Sequence, residues 1–132
     1  MKKYLMIILA LASLNAQAFT GTGNDRIDEV REYQRYKNGG DNIDWSDTNW
    51  YVGVVTGLIS VFNELSYPYS ICYPENSTVG QLSEIAANFV IDNPQIREKS
   101  LNYLVWESHS NAFGYKSNAS CFEHDAWKEF NS

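Results

Sequence analysis

The strongest constraint on the fold is a pair of helix signals near the middle of the chain. Thr78-Val79-Gly80-Gln81 matches a capping box, in which the first and fourth side chains satisfy main-chain amides at a helix N-terminus. Apolar residues then recur at helical spacing until Asp92-Asn93-Pro94, where the proline favours the first turn of a new helix. We therefore predict two consecutive helices, the second capped by Asn93 and ending near Ala112.

A shorter helix is predicted near the start of the chain. Asn24 or Asp25 can cap it, Ile27 marks its inner side, and Gly39-Gly40 ends it just after Lys37. The acidic stretch that follows, residues 41–49, is polar and has no helical periodicity, so we predict a loop there.

The longest predicted helix runs from about Asp47 to Leu65, with Ser46 as its cap. Apolar residues nearly encircle it, which is typical of a central, deeply buried helix. Gly53 and Gly57 are four residues apart and would let another helix approach closely.

The resulting fold class is all-α. We expect a small bundle of about four main helices, followed by a short C-terminal helix that begins at Cys121 and packs through Phe122, Trp127 and Phe130. No repeat or linker interrupts the pattern, and the length suits a single domain over residues 19–132.

The first 18 residues have the three parts of a secretory signal peptide. Lys2 and Lys3 precede an apolar run, and Ala16-Gln17-Ala18 supplies a small-residue cleavage site. The alternative is an uncleaved anchor, but the run is shorter than the about 20 residues that a membrane span needs. We therefore expect export to the periplasm without stable membrane insertion.

Cys72 and Cys121 are the only cysteines of the chain. In an oxidising compartment an isolated pair is most simply a disulfide, and the absence of a Cys-x-x-Cys motif argues against a redox role. We expect these two residues to form the single disulfide.

The charge of the exported chain is strongly negative. Without Lys2 and Lys3 it keeps eight basic and sixteen acidic residues, a net charge of −8, and no lysine or arginine lies between residues 38 and 96. Such a surface repels nucleic acid and anionic lipid and attracts basic partners. Acidity that merely keeps an exported protein soluble is the equal alternative.

No residue pattern indicates catalysis, and we expect neither an enzyme nor a cofactor or metal site. The chain has two histidines, His109 and His124, and no His-Glu-x-x-His zinc pattern, and His109, near a helix end, is expected to be partly exposed or to cap that end. Asp41, Asp44 and Asp47 are spaced by three but lack the EF-hand arrangement of calcium ligands.

Three segments together resemble one family. They are residues 51–57 with two glycines in an apolar helix, the run from Cys72 through Pro74 to Gln81-Leu82, and residues 93–97. This order is similar to that of the Rap/Tai immunity proteins, periplasmic partners of peptidoglycan amidase effectors delivered by type VI secretion. Ala112-Phe113 matches the last element of that pattern, whereas Asn76 replaces a family glycine and Tyr115 a family cysteine.

The resemblance implies a helical homodimer that binds a basic cell-wall hydrolase and blocks its active-site cleft. On that basis the loops before and after the long helix are the candidate contacts, and we expect the partner-binding residues to be Asp44, Trp45, Asp47, Tyr67 and Tyr69. The alternative function is a periplasmic acid-stress chaperone of the small, helical, disulfide-bonded kind, which exposes apolar surface when its carboxylates protonate.

Overall fold

The computed structural model describes residues 20–121, so the predicted signal peptide and the predicted packing residues Phe122, Trp127 and Phe130 lie outside the described residues. Four α-helices dominate the described chain, and residues 118–121 are again helical. In order, the elements are α1 (Ile27–Lys37), α2 (Trp45–Leu65), β1 (Tyr69–Ile71), α3 (Val79–Asp92), a 3-10 turn (Pro94–Ile96), α4 (Leu101–Phe113) and β2 (Tyr115–Ser117).

The fold is mostly helical, but the prediction of a purely all-α protein is wrong. Strands β1 and β2 pair antiparallel, with Tyr69 opposite Ser117 and Ile71 opposite Tyr115. Three residues per strand are too few to stand out as alternating patterns in the sequence. The disulfide helps to hold the two strands together, because it joins Cys72, just after β1, to the segment that follows β2.

Helix α1 begins slightly later than predicted. Thr22 and Asp25 exchange reciprocal side-chain to main-chain hydrogen bonds of 3.0 and 3.1 Å in the turn before it, and the helix starts at Ile27. It ends as predicted, because Gly39 adopts φ of +77°, a conformation that favours glycine, and its N–H donates to Tyr36.

Helix α2 is capped by Asp44 rather than by Ser46. The Asp44 carboxylate accepts hydrogen bonds from the main-chain N–H groups of Ser46 and Asp47, so the helix begins at Trp45. Both Ser and Asp are good caps, and the sequence alone does not rank two such residues two positions apart.

The capping box of α3 is confirmed, with Thr78 and Gln81 each satisfying the other's main-chain N–H. The next helix, however, does not start at Pro94. A 3-10 turn intervenes, and Ser100 caps α4 at Leu101. Arg97 lies in the segment between the two helices, and its guanidinium donates to the carbonyls of Val90 and Ile91 and thereby satisfies the C-terminal end of α3.

The centre of the bundle is α3, and the prediction that α2 is the most buried helix is wrong. Helices α2 and α3 each pack against the other three helices, but α3 fully buries five of its 14 residues, whereas α2 fully buries only Thr48, Tyr51 and Val55 of its 21. The opposite side of α2 is exposed and includes both glycines. A Cβ at Gly53 or Gly57 would have no atom within 4 Å.

A disulfide joins Cys72 and Cys121, as predicted, with Cα atoms 5.3 Å apart. It connects the β1 end of the loop that leads to α3 with the helical segment at residues 118–121. None of the helices between residues 20 and 121 has the length and apolar character that crossing a bilayer requires.

Removing this disulfide should lower the free energy of unfolding by about 4 kcal/mol, because the bond joins residues 49 positions apart, and without it the unfolded chain regains the entropy of that loop. The measurement is urea unfolding of the wild type and of Cys72→Ser/Cys121→Ser. The wild type in reductant should match the double variant, and an unchanged midpoint in reductant would contradict this account.

Candidate interaction surface

The five predicted contact residues lie at the two ends of helix α2. Asp44, Trp45 and Asp47 are at its N-terminal end, and Tyr67 and Tyr69 follow its C-terminal end. A helix of 21 residues is about 30 Å long, so the structure does not bring the two groups together. They form two separate surfaces, and a single active-site cleft could engage only one of them.

The first surface, here called the acidic end, consists of Tyr36, Asp44, Trp45 and Asp47. Trp45 is 55% exposed and packs edge-on against Tyr36, itself 44% exposed, with ring centroids 5.3 Å apart. Tyr36 was not predicted, because it belongs to α1. Tryptophan and tyrosine are enriched among residues that dominate binding energy at protein interfaces.

The acidic end keeps its negative charge, and Asp44 is held in place within it. The Asp44 N–H donates to Glu32 Oε1 at 2.7 Å, while its side chain caps α2. Among residues 20–121, neither Asp44 nor Asp47 forms an ion pair. Desolvation, and then the nearby charges of Asp44, Glu29, Glu32 and Asp28, raise the pKa of Asp47.

The loop that leads into the acidic end is ordered by α1. The Arg35 guanidinium donates to the main-chain carbonyls of Asp41 and Asn42, and it also pairs with Glu32 at 3.1 Å. Glu32 in turn accepts from the Asp44 N–H. Trp45 is therefore presented from a fixed loop and helix start, which reduces the entropy lost when a partner binds.

The second surface is a strip of aromatic rings. Tyr67 is 76% exposed and Tyr69 51% exposed, and the Tyr69 ring lies 5.8 Å from that of Tyr115. The strip continues from Tyr115 to Trp106 at 5.2 Å and on to Tyr103 at 6.2 Å. Only Tyr67 and Tyr69 were predicted. The helical spacing of Tyr103 and Trp106 is visible in the sequence, but the β pairing that adds Tyr115 is not.

His109 is fully buried, so the expectation of a partly exposed or capping histidine is wrong. Its Nε2 lies 2.8 Å from the Leu82 carbonyl oxygen and must carry the hydrogen, since a carbonyl only accepts. Its Nδ1 then accepts from the Tyr73 hydroxyl at 2.8 Å. Burial lowers the pKa of His109, partly offset by the Leu82 hydrogen bond, so the neutral ring is the stable form.

Two further polar rings bind the main chain of α3 beside His109. The Tyr51 hydroxyl donates to the Ser83 carbonyl at 2.7 Å, and the Tyr33 hydroxyl donates to the Gly80 carbonyl at 3.0 Å. Burial raises the pKa of both phenols, which keeps them protonated as donors. These buried rings serve the fold.

Within residues 20–121, no three carboxylate, histidine or cysteine side chains gather as metal ligands. Of Asp41, Asp44 and Asp47, Asp44 uses its carboxylate to accept the hydrogen bonds that cap α2.

The fold and its surfaces define a small, disulfide-linked, mostly helical protein with one acidic and one aromatic exposed end. No protein-family model matches the chain, no curated protein sequence matches it, and no solved structure matches its fold.

The buried His109 predicts acid-sensitive stability. In the unfolded chain a histidine titrates near 6.5, whereas the folded pKa is lower, so the unfolded state binds the proton first as pH falls. The histidine's contribution is therefore intact above pH 6.5 and is lost as pH drops below it. Chemical denaturation at several pH values measures this slope, and nitrogen-detected NMR of the imidazole reports its pKa and its Nε2–H tautomer.

His109→Gln keeps an amide donor for the Leu82 carbonyl but cannot titrate, so this part of the slope should disappear. His124→Gln, which removes the only other histidine, should retain it. A folded His109 pKa at or above 6.5 would contradict the assignment.

Proposed function

We propose that this protein is a periplasmic immunity protein that binds and inhibits a peptidoglycan-cleaving, amidase-type effector of type VI secretion. The observation that supports this best is the acidic end, where an exposed tryptophan stands beside carboxylates that have no cationic partner in the described chain. The resemblance over residues 51–113 supports the same class of partner. The signal peptide pattern and the disulfide fit an oxidising periplasm.

Charge and shape explain how the acidic end would inhibit. An enzyme that acts on an anionic wall polymer often carries a basic groove, and an acidic inhibitor can occupy that groove. Opposite charges accelerate the encounter, and a desolvated aromatic anchor then slows dissociation. In this protein Asp44 and Asp47 supply the charge, and Trp45, braced by Tyr36, supplies the anchor.

The helix start adds rigidity to this arrangement. Trp45 is the first residue of α2, and Asp47 lies in its first turn. Neither residue depends on a long flexible loop for its position. The protein acts by occupying a site, and the proposal assigns it no catalytic step.

Trp45→Ala should weaken binding to the hydrolase by at least thirtyfold, because truncating an interface hot spot costs about 2 kcal/mol or more. Asp44→Asn should mainly slow association and reduce its dependence on salt, since asparagine caps a helix as well as aspartate does but carries no charge. Surface plasmon resonance at several salt concentrations separates these rates.

Tyr67→Ala, at the far end of α2, is the matched control and should leave affinity within about threefold of the wild type. The opposite ranking, with a large loss for Tyr67→Ala and none for Trp45→Ala, would place the interface on the aromatic strip and overturn this assignment.

The proposal includes a homodimer, and the solvent-facing side of α2 is the best candidate for its interface. No charged residue lies between Asp47 and Glu64, although the exported chain carries a net charge of −8. The hydroxyls of Thr56 and Ser60 donate to carbonyls one turn back in the same helix, which lowers the polarity of this side. Two acidic copies repel each other elsewhere but can meet along an uncharged helix that exposes glycine.

Ser60→Arg should raise the dimer dissociation constant by about a hundredfold or more, because it puts a charge into a contact that is otherwise uncharged. Analytical ultracentrifugation over a range of concentrations measures this constant. Asn111→Arg, an exposed substitution on α4, should leave it unchanged. A wild type that sediments as a monomer at every concentration would refute the dimer.

An acid-stress chaperone is the second candidate, and the buried neutral His109 is the observation that favours it. Charging this ring turns Nδ1 from an acceptor into a donor toward the Tyr73 hydroxyl and places a positive charge in the core, which loosens the contact between α4 and the loop before α3. This candidate predicts that the protein suppresses the aggregation of client proteins only at pH 2–3. The immunity proposal instead predicts binding at neutral pH.

A further inference from the structure

A groove of about 530 Å³ lies between α3, the loop before it and the end of α4. Its size falls within the range of sites that bind small ligands or a few residues of a peptide. The residues that line the groove are far apart in the sequence. Among them are Pro74, Gln81 and Phe113, which belong to the segments that resemble the Rap/Tai family. None of the five predicted contact residues lines the groove.

The loop that forms one wall of the groove is fixed at several points. The disulfide holds it at Cys72, the hydrogen bond from Tyr73 to His109 holds its next residue, and the capping box holds it at Thr78. Within it, the Ser77 N–H and hydroxyl both donate to the Pro74 carbonyl. The groove is therefore largely pre-formed, which favours binding.

The wall on α3 offers amide donors. The Gln81 side-chain oxygen accepts from the Thr78 N–H, which leaves its amide nitrogen for another acceptor. The Asn88 side-chain oxygen likewise accepts from Gln34 at 2.9 Å, leaving its own amide nitrogen. Amide nitrogens along a groove suit the carbonyl oxygens of an extended polypeptide.

The groove has an apolar floor and a single charge. Ile85 and Phe113 are half-buried and supply the apolar contact, and Glu84 is the only charged residue in the lining. The nearest cation is Lys37, whose ammonium is 3.7 Å from the Glu84 carboxylate and whose side chain is itself partly exposed. A surface ion pair this long is weak, so an incoming cation can replace Lys37.

We propose that this groove binds an extended polypeptide segment and places a lysine or arginine side chain of that segment against Glu84. Amide donors for main-chain carbonyls, an apolar floor and one carboxylate together fit a basic peptide. A glycan fits less well, since sugar rings stack on broad exposed aromatic faces and the only ring in this lining is the half-buried Phe113. The site needs no hydrolase, so its test is independent of the immunity proposal.

The test uses the mature chain and two blocked tripeptides, acetyl-Ala-Lys-Ala-amide and acetyl-Ala-Gln-Ala-amide, titrated by two-dimensional NMR. The lysine peptide should shift the amide signals of Ile85, Asn88 and Phe113 at millimolar concentrations, and the glutamine peptide should bind several-fold more weakly. Chitotriose, added as a glycan probe, should leave these signals in place.

Two substitutions should act in opposite directions. Glu84→Gln should lower the affinity for the lysine peptide to that for the glutamine peptide. Lys37→Met should raise the affinity for the lysine peptide by up to about fivefold, because this substitution removes the competing ammonium. Glu98→Gln, an exposed acid outside the groove, is the charge-matched control and should change nothing.

A lysine peptide that shifts no groove signal would overturn the proposal, as would equal binding of both peptides or stronger binding of chitotriose. Equal effects of Glu84→Gln and Glu98→Gln would reduce the interaction to general attraction by net charge and would also overturn it.

Discussion

One tyrosine or histidine side chain from each of the other three main helices donates a hydrogen bond to a main-chain carbonyl of α3. Tyr33 from α1 binds the Gly80 carbonyl, Tyr51 from α2 binds the Ser83 carbonyl, and His109 from α4 binds the Leu82 carbonyl. These carbonyls lie within one turn of α3, so the three hydrogen bonds fix its position and rotation relative to its neighbours. Because buried donors are costly to leave unsatisfied, the arrangement selects one packing of the bundle.

That packing explains where the exposed surfaces lie. Helix α2 buries one side against the other three helices, and its remaining side, its acidic start and its aromatic end all face solvent. The disulfide and the short β pair then hold the chain after α4 against the loop that enters α3. The same loop, held through Tyr73 and His109, forms a wall of the groove beside Glu84.

Local signals in the sequence predicted what depends on local chemistry. The capping box at Thr78, the glycine stop after α1 and the cysteine pair are each confirmed. The wrong predictions concern features that depend on how the helices pack against one another. The sequence shows that α2 is apolar but not that α3 takes the central place, and it shows His109 near a helix end but not that the Leu82 carbonyl and Tyr73 hydroxyl enclose it.

The candidate site was also predictable only where its residues are close together in the sequence. Asp44, Trp45 and Asp47 are close in sequence, so a surface made from them could be anticipated. Tyr36 joins them only because α1 packs beside α2, and Tyr67 and Tyr69 separate from them only because the helix between is rigid and about 30 Å long. Sequence proximity identified one surface, and the fold divided the predicted contacts into two.

The most direct test of the central claim is capture of cell-wall hydrolases encoded beside this gene, with the mature domain as bait at neutral pH and increasing salt. The account predicts stoichiometric, salt-sensitive capture of one hydrolase together with loss of its peptidoglycan-cleaving activity. Failure to capture any hydrolase at neutral pH, with suppression of client aggregation appearing only after acidification, would contradict it.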